Sequence, residues 1–208
     1  MAKVHVLPQL TLSPTGELKV YRQLLHLRQG DMDGACAIYS LMMDLIAIKC
    51  IKRSLADNIW MKVKGNTREG KLINHIVNNQ GLYRNGVDMS DLANQANEIY
   101  HRILDVKYLN GKQESVIAEE IDNGRPCVVS FSYNKHSGHA MTAVGYEMHN
   151  KKITKIFCLD PARPAPISNY WNAAIALNHF EAAKYTDLYI PDGNQVVLDE
   201  IITITPRG

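Results

Sequence analysis

Between Arg28 and Arg53 a polar loop, Gln29-Gly30-Asp31-Met32-Asp33-Gly34, runs into Ala35-Cys36 and then an almost unbroken apolar stretch to Ile51. Few folds can house such a segment. A helix with Ala, Leu, Met and Ile on most sides cannot lie on a surface, so the rest of the chain must be built around it. The pattern predicts a buried helix reaching to about Arg53, with Cys36 where it begins. A thiol there feels the positive end of the helix dipole, which lowers its pKa and favours the thiolate. An inert core cysteine satisfies the same stretch equally well, so the decision falls to the remaining residues.

With 208 residues, the chain is long enough for one full-sized domain, taken here as residues 1–208. A net charge of +2 is too small to argue for nucleic acid or an anionic membrane surface. No apolar run reaches spanning length without charges, so membrane insertion is not expected. The N-terminal segment alternates and breaks at Pro8 and Pro14, unlike the continuous apolar core of a signal peptide. Cys36, Cys50, Cys127 and Cys158 form no C-x-x-C pair. Free thiols in a reducing compartment are the simplest account. The expected location is therefore cytoplasmic, or reached by export without a cleaved signal.

Short alternating runs around Ser13-Pro14-Thr15-Gly16 suggest a hairpin or strand before the loop. After the apolar helix, Trp60 to Gly70 reads as a basic, turn-rich surface connection, and Lys71 to Asn79 as a short helix. Ser90-Asp91 reads as the cap of a clearer one, with Leu92, Ala96, Ile99, Ile103 and Leu104 on one face. Ser115 to Asp122 is a third, stopped by Asn123-Gly124. Strands follow at Pro126–Tyr133, His139–Tyr146, Ile153–Leu159 and Gln195–Ile204. Helices first and strands last argue for an α+β fold, with helices packed on an antiparallel sheet.

A reactive cysteine needs a base, a group that orients the base, and donors for the oxyanion. His139 and Asp160 fit the first two roles if their strands form a hairpin with His149-Asn150 as a two-residue turn. Met148 then faces Lys151, and His139 faces Asp160. Opposed residues share a face with Cβ atoms about 4.5–5.5 Å apart. A one-residue slip would put them on opposite faces. Gln29, seven residues before Cys36, could aim its side-chain amide at the space served by the Cys36 backbone N–H, giving two donors for an oxyanion hole. Alone, it reads as a solvated loop residue.

The ordered set Gln29…Cys36, then His139-Ala-Met-Thr-Ala-Val-Gly-Tyr146, then Asp160-Pro161, resembles the papain-like cysteine peptidases. Asp rather than Asn at the third position is similar to the bacterial branch. That branch includes the peptidase domains that remove double-glycine leaders and several effector proteases. The resemblance implies a papain-like fold, with Cys36 as nucleophile, His139 as general base, Asp160 as its orienter and Gln29 as oxyanion donor. It implies a peptide or protein substrate and no metal or organic cofactor. Ala37 departs from the Gly or bulky aromatic that usually follows the nucleophile.

The same triad also serves transglutaminases, deamidases and acyltransferases. A binding module without turnover is a third alternative, which has no physical reason to keep all four groups. His136 and His139 with Asp160 fall short of a zinc ligand set. Asp31 and Asp33 lack the ligands that would continue a calcium loop. Cys50, Cys127 and Cys158 read as core thiols. Tyr170-Trp171 could wall the cleft or simply pack a surface loop.

Overall fold

The computed structural model describes residues 1–30, 34–57, 64–78, 86–134, 137–180 and 183–208. Helix α1 spans Cys36–Ala47, and ten of its twelve residues are buried. It ends six residues before Arg53. Lys49 takes a left-handed conformation (φ 63°). Its N–H bonds the Ile46 carbonyl at 3.1 Å, while that of Cys50 reaches back to Leu45 at 2.8 Å. These two bonds satisfy the last carbonyls and turn the chain out of the helix. Arg53–Asp57 forms a separate short helix, α2.

Helix α3 covers Arg68–Asn78, so Arg68 to Gly70 are helical rather than part of a connection. Trp60 to Val63 and Asn79 to Gly81 lie outside the described residues. Helix α4 covers Met89–Tyr100, and its cap is Asp88, not Ser90-Asp91. The Asp88 backbone is extended, and its carboxylate accepts from the Ser90 and Asp91 N–H groups, at 2.8 and 3.1 Å. A carboxylate so placed satisfies two orphan donors and suits the dipole. The predicted stripe holds for Leu92 and Ala96, and for Ile99, which is half-buried against the core. Ile103 and Leu104 fall beyond the helix, where the chain turns into a strand the sequence pattern did not show, β5 (Leu104–Asn110). Helix α5, Glu114–Asp122, stops at Asn123-Gly124 as expected, with Gly124 at φ 73°.

The sheet goes further than the predicted open layer. Strands β6 (Cys127–Asn134), β7 (Ser137–His149), β8 (Lys152–Leu159), β9 (Ala173–Ala176), β10 (Asp187–Tyr189) and β11 (Asn194–Pro206) pair in a closed antiparallel ring, because β7 bonds both β6 and β8 and β11 bonds both β6 and β10. The two long strands carry extra partners where the ring leaves an edge free. Strand β1 (Lys3–Val6) runs along β7, and β5 runs along β11. Gly145 allows the first of these, since a Cβ there would sit 2.5 Å from the His5 carbonyl oxygen. The short strands β9 and β10 escaped the sequence reading. At four and three residues they show no alternation long enough to count. A separate three-stranded sheet, β2 (Leu10–Leu12), β3 (Leu18–Val20) and β4 (Gln23–Leu24), contains the expected hairpin around Ser13–Gly16.

Helix α1 lies against β6 and β7, α5 against β1, β7 and β8, and α4 against β5 and β11. One buried apolar cluster joins α1 and the barrel wall to the inner faces of α3, α4 and α5, through residues such as Leu72, Leu92 and Ile117. Among the described residues no helix is long and apolar enough to cross a membrane.

Candidate active site

The N-terminus of α1 meets the start of β7, and this contact brings Cys36 to His139. His139 Nε2 lies 2.6 Å from Asp160 Oδ1, with the imidazole only 16% and the carboxylate 1% exposed. The other ring nitrogen is left for the Cys36 thiol, which hydrogen-bonds the imidazole. The sulfur also accepts the Ala140 N–H at 3.4 Å and that of Ala37. Burial alone would raise the thiol pKa, but His139 and these N–H groups outweigh it and hold the pKa below that of an ordinary thiol. Burial likewise works against the charged imidazole. Asp160 and Cys36 overcome it and push the His139 pKa up to about 10. Both shifts run toward thiolate and imidazolium.

His139 and Asp160 meet, but not by the predicted register. The β7–β8 turn is Asn150-Lys151, both with positive φ, so His149 faces Lys152. Asn at the first position suits such a turn better than His. Two bulges follow. Thr154 is the extra residue on β8 and Val144 the extra residue on β7, and they shift the register in opposite directions. Near the site Thr142 faces Leu159. Asp160 is therefore a diagonal neighbour of His139 rather than its direct partner. A diagonal neighbour is still on the same face and within side-chain reach. Either bulge alone would have separated them.

Asp160 is held on every side. Its Oδ1 also accepts the Ala162 N–H at 2.8 Å, and its Oδ2 accepts from the Tyr189 hydroxyl. Asn172 brackets its backbone, accepting the Asp160 N–H at 2.7 Å and donating to the Asp160 carbonyl at 3.0 Å. His26 Nε2 lies 2.9 Å from that same carbonyl. Burial pushes the Asp160 carboxyl up, but His139, Tyr189 and the Ala162 N–H bring it below the usual carboxylate range. Tyr189, Asn172 and His26 were not singled out from sequence. Their separation from Asp160 in the chain, with no motif around them, left no signal to find.

Gln29 shares with Cys36, Ala37 and His139 a cleft of about 780 Å³. Its N–H bonds the Pro161 carbonyl at 2.9 Å, tying the loop before α1 to the loop after Asp160. Its Oε1 is buried and has no hydrogen-bond partner among the described residues. Tyr170-Trp171 is absent from the residues lining this cleft. Trp171 instead stacks on Phe157, ring centroids 4.1 Å apart, where the chain passes outside β8. Burial raises the Cys50 thiol to about 11 and the Cys127 and Cys158 thiols well above the ordinary range. Among the described residues no group of three or more His, Cys, Asp or Glu could hold a metal ion. His136, Asp31 and Asp33 lie outside the described residues.

Helices against an antiparallel barrel, with a buried His–Asp pair facing a helix-terminal thiol, define the class of site. The chain belongs to the Peptidase_C39 like family, which matches residues 15–195, and so to the papain-like cysteine peptidase superfamily. It is similar in fold to a solved Bacillus anthracis protein described as a C39-like peptidase, with a TM-score of 0.51, 16% identity and 98% of each chain covered. No curated protein matches the chain.

Proposed function

We propose that this chain is a papain-like thiol peptidase, a single domain that hydrolyses a peptide or isopeptide bond through Cys36, His139 and Asp160. The observation that carries the reading is the continuous line from the Cys36 sulfur through the imidazole to the Asp160 carboxylate, with His139 Nε2 and Asp160 Oδ1 2.6 Å apart. The thiolate attacks the substrate carbonyl. The oxyanion is met by the Cys36 backbone N–H and by the Gln29 side-chain amide, which lines the same cleft and carries N–H donors. The imidazolium gives its proton to the leaving amine. It then takes one from water, and the hydroxide so formed releases the acyl group from sulfur. Asp160 keeps the ring in the tautomer that points a nitrogen at the sulfur.

The test is a peptide library exposed to the protein and to Cys36→Ala, read by mass spectrometry. Products with new carboxyl termini from the parent protein alone support hydrolysis. Products carrying an amine in place of the carboxyl would move the assignment to acyl transfer. Identical spectra from the two proteins would remove the peptidase reading.

A further inference from the structure

We infer that Tyr189 is a positioning residue for the site, acting through Asp160. The inference rests on the proposed Cys36–His139–Asp160 arrangement, though not on which acceptor takes the acyl group. Asp160 Oδ1 is occupied twice, by His139 and by the Ala162 N–H. Its Oδ2 receives the Tyr189 hydroxyl. Without that bond the outer oxygen would lie in a nearly dry site with nothing to hold it, since Asp160 is 1% exposed. The carboxylate could then rotate, carrying Oδ1 out of line with the imidazole.

Tyr189 is well placed for this task. It is buried at the start of the turn between β10 and β11. Phe131 packs against both its ring and the His139 ring, with centroids 4.9 and 5.7 Å away. One aromatic side chain thus fixes both groups that flank Asp160. On the outer side the Arg163 guanidinium lies 5.9 Å from the Tyr189 ring centroid and pairs with Asp192. Burial and the Asp160 charge keep the phenol protonated far above neutrality, so it donates to the carboxylate at every working pH. The groups facing the Asp160 carboxylate are then His139 from β7, Tyr189 from β10 and the Ala162 N–H from the loop after β8, with the Arg163 N–H, His26 and Asn172 on its backbone. A line runs from Arg163 at the surface through Tyr189 and Asp160 to His139 and the thiol.

The rate of Cys36 alkylation by iodoacetamide tests this without any peptide substrate. Tyr189→Phe should slow labelling at pH 6 about ten-fold, as expected when a charged group loses a hydrogen bond. The acid limb of the rate–pH profile should move up by about one unit, because a loosely held carboxylate stabilises the imidazolium less. In an Asp160→Ala background, adding Tyr189→Phe should change the rate less than about two-fold, since the group it acts through is gone. Equal slowing in both backgrounds would reduce Tyr189 to a packing role, and an unmoved profile in the Tyr189→Phe protein would overturn the inference. Should Tyr189→Phe fail to fold, Arg163→Met probes the same line from the surface. It should shift the profile in the same direction by a smaller amount, and no shift would overturn the inference. A chain that labels as expected but cleaves no peptide refutes the peptidase reading and leaves this one standing.

Discussion

Cys36, Ser40 and Asp44 stand four residues apart along one face of α1, and the two ends of that row behave in opposite ways. At the first end the sulfur has the Ala140 N–H at 3.4 Å and the imidazole beside it, and its pKa falls despite burial. At the other end Asp44 has no exposed surface, and neither carboxyl oxygen has a hydrogen-bond partner among the described residues. Thr142 offsets this slightly, but its hydroxyl is committed to the Ser40 carbonyl at 3.0 Å. Burial therefore wins, and the Asp44 pKa is pushed well above the usual carboxylate range. Cys36 is only partly buried and sits at the positive end of the helix, whereas Asp44 is fully buried near the other end. The barrel wall adds to that difference, since it offers donors and a countercharge to the thiol alone, and the two pKa values move in opposite senses with respect to ionisation.

The largest test removes the favoured end. Cys36→Ala should abolish turnover, a loss on the order of 10⁶-fold by analogy with removal of a serine nucleophile, while leaving the melting temperature nearly unchanged. A folded variant with residual cleavage above background would show that the chemistry lies elsewhere.

Next comes the contrast among thiols. At pH 7 a thiol held at about 11 is roughly 10⁻⁴ thiolate, so Cys50 should label far more slowly than Cys36. Cys127 and Cys158, fully buried, should label only on unfolding. Peptide mapping after brief iodoacetamide treatment measures this, and comparable labelling of any other cysteine would erase the distinction drawn for Cys36. His139 carries a folded-state pKa raised to about 10. The ion pair's contribution to stability is thus complete below the ordinary histidine pKa and lost as pH rises through about 10. Turnover should fall over that same upper limb.

Smaller effects follow at Asp160. Asp160→Asn should lose less than the ~10⁴-fold seen for the equivalent change in a serine protease, because thiol enzymes also work with Asn there. Asp160→Ala should lose more than Asp160→Asn, since the hydrogen bond goes with the charge. An unchanged rate per folded molecule in Asp160→Ala would leave a Cys36–His139 pair acting alone.

The smallest effect lies at the other end of the row. Asp44 binds its proton more tightly folded than unfolded, so the stability tied to that proton is complete below about pH 4 and lost as pH rises through the folded-state pKa. Asp44→Asn should be neutral near pH 4 and raise the melting temperature near pH 8 by about 2–4 °C, what ~1 kcal/mol is worth in a chain of this size. Destabilisation at pH 8 would mean that the ionised carboxylate has a partner.

The apolar run behind Cys36, the apolar and β-branched strand runs of β6, β7, β8 and β11, and the Asn123-Gly124 stop were all legible in the sequence. Each is a local property, a period or a turn residue written in consecutive positions. The family likeness was legible too, carried by three short motifs. Closure of the barrel was not, because it depends on β9 and β10, strands too short to show a period and ordered only by their neighbours. Nor was the end of α1, where Lys49 takes a conformation that its residue type does not favour.

The placing of His139 against Asp160 shows where that boundary lies. Sequence supplied the two residue types and a parity argument for a shared face. The turn was one residue further on, and two bulges moved the register away and back again. Bulges answer to sheet curvature and to neighbours such as the segment leaving β1, where the Leu7 N–H donates to the Val144 carbonyl at 3.0 Å. The pKa shifts along α1 divide in the same way. The sequence placed Cys36 and Asp44 on one helix, and only the packing around it determined that the thiol would lose its proton more readily and the carboxyl less readily than usual.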